Sequence, residues 1–285
     1  MNHPAEVAIH SFLQNVMLGN ASMDKAIVDL IAKDVGEAVS RQFSGEKRKF
    51  KLRMSNIGRK KCQLWFDKNH PDEKISDSPY FLINMILGDI IEAVFKGLLR
   101  AADVKFDDSE QVSLPTKGGH VDGTYDLVLN GKVDDVKSAS PWAYENKFID
   151  FETLQSKDSF GYVSQLVGYA KAKGVPVGGW WVINKANGNF KYVSANDVDT
   201  EGEMEKIQST IDYINNDEPF ERCYEPVEET YYGKPSGNLK LGIECSFCSY
   251  REKCWDLQVL PSKVSKSATP PLINYVKLAD AQDTI

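Results

Sequence analysis

The dipeptide Asn130-Gly131 separates two stretches that read as strands, Val121 to Leu129 and Lys132 to Ala139. Both central residues of a two-residue type I′ turn take positive φ, which Asn and Gly tolerate best, so the pair predicts a tight antiparallel hairpin. Such a turn sets the register: Leu129 pairs with Lys132, and Asp126 lies opposite Asp135. Strand alternation then places Val121, Tyr125, Leu127 and Leu129 on one face and Asp122, Thr124 and Asp126 on the other. On the returning strand Asp135 and Lys137 share a face. Carboxylates converging from two strands suit a hard divalent cation, which takes one or two of them and completes its shell with water and phosphate oxygens. A lysine beside them can orient an attacking water and offset charge developing on phosphate.

Helical and strand patterns around the hairpin define the class. Apolar spacing over residues 5–43 suits two amphipathic helices, and residues 88–99 carry a helical stripe on which Glu92 has Phe95 at i+3 and Leu99 at i+7, leaning it toward the buried side. Strands are expected over 112–139, a helix around 158–172, an apolar strand at Trp180 to Ile183, a second hairpin at Asn187-Gly188, and a helix over 203–215. Helix, strands, helix, strand is a mixed α/β order. With 285 residues, the chain divides by expectation into an N-terminal helical segment 1–45, one main domain 46–255, and a loosely packed tail 256–285 that includes Pro261, Pro270 and Pro271.

Charge is segregated along the chain. Between Arg41 and Lys61 nine basic residues, Lys47, Arg48, Lys49 and Lys51 among them, face a single acid, Glu46, in a chain of net charge −7. The overall balance excludes a protein that coats nucleic acid through bulk positive field, while the strip itself suits phosphate contacts. Aromatic residues beside it, Trp65 and Phe66, and Trp142 with Tyr144 after the Asp135–Lys137 strand, could stack bases. No apolar run reaches the length of a membrane span, and no basic cluster precedes an apolar block at the N-terminus, so a reducing cytoplasmic setting is expected. Five cysteines in such a setting point to metal or reactive thiols rather than disulfides. Cys245, Cys248 and Cys254 form Cys-x2-Cys-x5-Cys, Cys62 stands far upstream, and Cys223 falls outside the pattern as an expected free thiol. No Gly-x4-Gly-Lys-Ser/Thr loop occurs, so no ATP-driven helicase motor is expected.

Taken in order, Gly88-Asp89-Ile90-Ile91-Glu92, Gly119-His120-Val121-Asp122, Asp135-Val136-Lys137 and Gln165-x-x-x-Tyr169 resemble the RecB-like branch of the PD-(D/E)XK nuclease superfamily, over about residues 50–255. The cysteine spacing is similar to that of its iron–sulfur members, which include CRISPR-associated RecB-like exonucleases, AddB-type nucleases and phage exonucleases. The resemblance implies a restriction-endonuclease-like α/β core with a mixed central sheet flanked by helices. It implies Mg²⁺ or Mn²⁺ held by Glu92, Asp122, Asp135 and the Val136 carbonyl, with Lys137 activating water, Gln165 orienting lysine or substrate, and Tyr169 packing or contacting DNA. It also implies a [4Fe-4S] cluster on Cys62, Cys245, Cys248 and Cys254, joining the two ends of the nuclease domain, with structural zinc on the same thiolates as the alternative. The expected activity is exonucleolytic hydrolysis of single-stranded DNA ends in phage or CRISPR-type processing, recombination or repair. A recombination or CRISPR-adaptation protein is the implied partner, and a catalytically silent DNA-binding or assembly subunit is the rival reading. For the aspartate on the first hairpin strand the motif selects Asp122, whereas the simple register favours Asp126.

Overall fold

The computed structural model describes residues 3–45, 49–75 and 78–279. In chain order its main elements are α1 (Pro4–Met17), α2 (Lys25–Gln42), α3 (Lys61–Asn69), α4 (Pro79–Ala101), β1 (Phe106–Thr116), β2 (Gly119–Leu129), β3 (Lys132–Ala139), α5 (Pro141–Asn146), α6 (Phe151–Ser156), α7 (Tyr162–Lys173), β4 (Val177–Asn184), β5 (Phe190–Ser194), α8 (Thr200–Asn215), β6 (Val227–Tyr231), β7 (Lys234–Lys240), α9 (Ile243–Ser246), α10 (Arg251–Cys254), β8 (Gln258–Pro261) and β9 (Leu272–Lys277). Local chemistry starts several of the helices. The Asp24 carboxylate accepts the Ala26 N–H at 2.7 Å at the head of α2, and Pro79 opens α4 where its missing donor costs nothing.

Two compact units form. One comprises Met1–Gly58 with Ser78–Asp212, the other Arg59–Asp77 with Tyr213–Ile285. This division does not follow the expected boundaries after residues 45 and 255.

In the first unit five strands make a mixed sheet in the order β1-β2-β3-β4-β5, with β3 and β4 parallel and the other pairs antiparallel. The parallel pair is joined by a crossover containing α7, as a parallel connection requires. Trp180 and Trp181, adjacent on β4, point to opposite faces and enter two separate core clusters. One cluster packs α7, through Val163, Leu166 and Val167, against Tyr125, Val133 and Trp180; the other packs α1 and α4, through Ile9, Phe95 and Leu99, against Leu127, Val136 and Trp181. A mixed sheet flanked by helices is therefore what the chain forms.

The Asn130-Gly131 turn has φ of 51° and 74°, and Leu129 pairs with Lys132 as expected. The expected single face for Val121, Tyr125, Leu127 and Leu129 does not hold. Val121 and Tyr125 enter the α7 cluster, whereas Leu127 and Leu129 enter the α4 cluster. The reason lies in the pairing: β2 stays with β1 along its length but pairs with β3 only over Leu127–Leu129. Asp126 sits where β2 parts from β3 and the side-chain faces exchange.

The second unit holds a four-stranded sheet in the order β6-β7-β9-β8. Two of its strands come from residues expected to be tail, and Tyr275 on β9 is fully buried. Phe66 on α3 is buried against Phe220 and Tyr250, and the Trp65 indole donates to the Glu218 carbonyl at 3.0 Å, so both belong to this unit's packing rather than to an open stacking surface. No helix among the described residues is long and apolar enough to cross a membrane.

Candidate active site

Where β2 parts from β3, the Asp126 carboxylate accepts the Val136 N–H at 2.6 Å. Asp135, on the same strand, is buried, and its Oδ2 lies 2.5 Å from Lys137 Nζ. The ammonium of Lys137 satisfies this buried oxygen, and Asp126 adjoins the same carboxyl. From α7, the Gln165 amide oxygen accepts from Lys137 Nζ at 3.4 Å and its nitrogen donates to the Tyr169 hydroxyl at 3.3 Å. From α4, Glu92 pairs with Lys96 at 3.0 Å, and Lys96 reaches Asp108 at 3.2 Å.

Electrostatics bind these groups into one cluster. Burial, and then the neighbouring Asp135, push the Asp126 carboxyl up to about 7. Burial followed by the charge of Asp126 raises Glu92 to about 7, against the pull of Lys96 and Lys137. Asp135 is raised by burial, with Lys137 opposing. For Lys137 burial disfavours the charge, but Asp135 and Asp126 outweigh it and hold the ammonium above the usual lysine range. Three carboxylates thus share two ammonium groups, Lys137 and Lys96, and burial still raises all three, which is the condition a further cation would relieve.

Asp122 is not part of this cluster. It lies four residues along β2 from Asp126, roughly 13 Å at about 3.3 Å per residue, and is held by Lys51 at 2.7 Å and by the Ser113 hydroxyl at 2.9 Å. The Lys51 hydrogen bond keeps its carboxyl below the usual range. Gly123 does not form a bulge that would carry Asp122 inward. Its bare Cα instead gives room to Met54 and Tyr169, since a Cβ there would sit 2.5 Å from Met54 Cβ and 2.7 Å from the Tyr169 ring. The aspartate of β2 that adjoins Asp135 is therefore Asp126 and not the expected Asp122. Val136 joins through its N–H, and Tyr169 is buried at 4% exposure, which leaves it a packing partner of Gln165 rather than a surface for DNA.

Lys96 was legible as a charge four residues after Glu92 on the same helix face. Asp134 gave no such sign: it is buried on the opposite face of β3 and accepts from Gly179 N–H at 2.8 Å, Trp181 Nε1 at 3.1 Å and the Tyr192 hydroxyl at 2.9 Å. Of the basic strip, Lys47 and Arg48 lie outside the described residues, Lys49 is exposed, Lys51 is taken up by Asp122, and Arg41 by Asp89 at 3.0 Å. Trp142 is 63% exposed, whereas Tyr144 is buried.

All five cysteines fall in the second unit. Cys223, expected to stand apart, accepts the Cys62 backbone N–H at 3.2 Å. The Cys62 thiol's hydrogen bond to Cys223, assisted by Lys60 and Lys61, lowers the Cys223 thiol to about 6 against burial, and the same contact together with burial raises Cys62. Burial raises Cys248, Cys254 and Cys245, the last to about 11. Cys248 accepts the Tyr250 N–H at 3.5 Å, and the Cys254 carbonyl accepts from Arg222 at 2.7 Å. Among the described residues no three His, Cys, Asp or Glu side chains close a group that could hold a metal ion as they stand.

No family model matches the chain, and no curated protein matches it. Its fold is distantly similar to the crystal structure of SSO0001, at 12% identity and a TM-score of 0.43, over 82% of this chain and 98% of that one.

Proposed function

We propose that the chain is a divalent-metal-dependent deoxyribonuclease of RecB-like PD-(D/E)XK type, acting on single-stranded DNA ends. The observation that carries this reading is the meeting of Asp126, Asp135 and Lys137 where β2 and β3 part, with Glu92 close enough for its charge to act on them and Asp135 buried against Lys137. A hard cation needs only one or two protein carboxylates when phosphate and water supply the rest, so Asp126 and Asp135 fit one, with Glu92 beside them. When bound, Mg²⁺ or Mn²⁺ would polarise the phosphate and lower the pKa of a coordinated water. The chain's own residues do the remaining work. Lys137, paired with Asp135, would orient the attacking water and offset charge developing on the phosphate. Gln165 fixes where that ammonium points, and Tyr169 fixes Gln165.

Cys62, Cys245, Cys248 and Cys254 would hold a [4Fe-4S] cluster, or zinc, in the second unit. Spacing and shared location support the assignment, and thiolate chemistry suits either metal. The group would tie residues 59–77 to 213–285 inside that unit, in place of the expected link between the ends of the nuclease domain. No step of hydrolysis passes through it.

The test is a time course on end-labelled single- and double-stranded DNA with Mg²⁺, Mn²⁺ or chelator. Cation-dependent shortening of single strands from their ends, lost with chelator and in Asp135→Asn, is expected. DNA binding with no cleavage under any cation would instead leave a binding or assembly subunit.

A further inference from the structure

Lys147 is a buried amine that the cluster at Asp135 does not use. Its side chain is 8% exposed, and Asp158 faces it as a counter-ion at 3.8 Å. Three aromatic rings surround its Nζ: Tyr162 at 4.3 Å, Phe160 at 5.1 Å and Phe148 at 5.7 Å from the ring centroids. The rings are themselves near-parallel. Phe148 stacks on Tyr162 with planes 24° apart, and Phe160 stacks on Tyr162 at 5.6 Å with planes 16° apart. The ladder runs outward, from buried Phe148 to Phe160, which is 58% exposed. It also abuts the candidate active site, because Lys137 Nζ lies 4.9 Å from the Tyr162 centroid.

Phe160 stands on a turn that is tightly braced. Here Asp158 accepts the N–H groups of Gly161 and Val163, both at 2.9 Å, and Gly161 takes a φ of 78° against the backbone of Gly58, where a Cβ would lie 2.2 Å from Gly58 C. Phe160 is thus presented on a braced turn, with a buried ammonium beneath the stack. We infer that Phe160 is the outer step of a base-stacking subsite, on which a nucleobase of single-stranded nucleic acid adjoining the phosphate at Lys137 lies flat. Stacking of this kind tolerates any base, because every base has a π-face. The inference rests on the nuclease reading and adds to it the way the strand is held.

The experiment measures binding of fluorescein-labelled single-stranded oligonucleotides in chelator, so that cleavage does not enter, with a normal and an abasic version of each strand. Wild type should bind the normal strand more tightly. Phe160→Leu keeps an apolar cover over Lys147 but removes the flat ring, and should weaken binding to the normal strand about tenfold while leaving the abasic strand unaffected. Phe160→Trp should restore the difference, and equal melting temperatures check that all three proteins are folded. Equal losses on both strands, or none, with wild-type binding and cleavage intact, overturn the stacking subsite alone. A wild-type protein that neither binds nor cleaves DNA overturns the nuclease reading with it.

Discussion

Asp126 and Asp122 lie two strand repeats apart on β2 and have opposite environments. Asp122 is satisfied by Lys51 and Ser113 at the surface, so Asp122→Asn should leave turnover and melting temperature close to those of wild type. Asp126 is raised to about 7 in the folded chain, from an ordinary value of 3.8. A carboxyl whose folded pKa is raised opposes folding once ionised, so its contribution is most favourable below pH 3.8 and is lost as pH rises to about 7. Asp126→Asn removes that loss and keeps an oxygen for the Val136 N–H. The variant should melt at or above the wild-type temperature near pH 8 in chelator, and its melting temperature should fall less between pH 5 and pH 8. Its cleavage rate with Mg²⁺ should drop by more than about a hundredfold, as for loss of a metal-holding group. Thermal scans across pH, set beside the rates of both variants, check this, and an active Asp126→Asn with a dead Asp122→Asn would return the role to Asp122.

At the scale of elements, the hairpin was readable because Asn130 and Gly131 accept positive φ and the register then follows by counting. The exchange of faces at Asp126 was not readable, since it depends on where β3 stops pairing with β2, a tertiary event that leaves no mark in the alternation of Val121 to Leu129. The second sheet was hidden for a different reason. All four residues of β8 are exposed, and β9 buries only Tyr275, so neither shows the apolar alternation by which strands are recognised. What holds that sheet is polar: Glu229 on β6 is buried at 4% exposure and accepts from Asn238 at 2.8 Å and the Tyr275 hydroxyl at 2.8 Å. Burial works against its charge, but these hydrogen bonds outweigh it and lower the carboxyl below its usual value of 4.5. A depressed carboxylate stabilises the fold above its unfolded pKa and stops doing so as pH falls through the folded one. Glu229→Gln should therefore cost about 1–3 kcal/mol at pH 7, and the loss relative to wild type should shrink below pH 4. Denaturant titrations of the full chain at pH 7 and pH 3.5 measure both.

Across the whole molecule, the chain leaves its first unit after Gly58, returns at Ser78 and leaves again after Asp212. Residues 59–77 therefore belong with a region more than a hundred positions downstream, and a bond between the two segments removes the entropy of closing a long loop. A cluster on Cys62, Cys245, Cys248 and Cys254 is such a bond. Cys223 complicates the count, because five thiols then compete for four positions and Cys223 already meets Cys62. The spacing assigns Cys223 the part of a neighbour that hydrogen-bonds Cys62 rather than a ligand. Anaerobically purified protein should be brown with about four irons per chain. Cys223→Ser should keep the colour and the iron count, since the serine hydroxyl can still meet Cys62. Cys248→Ser should lose both, together with yield and folded fraction, while Asp135→Asn keeps the iron and loses only cleavage. Iron and zinc analysis of the four proteins decides the matter: a colourless wild type with stoichiometric zinc removes the iron–sulfur assignment, and a colourless Cys223→Ser beside a brown Cys248→Ser exchanges the roles of these two thiols.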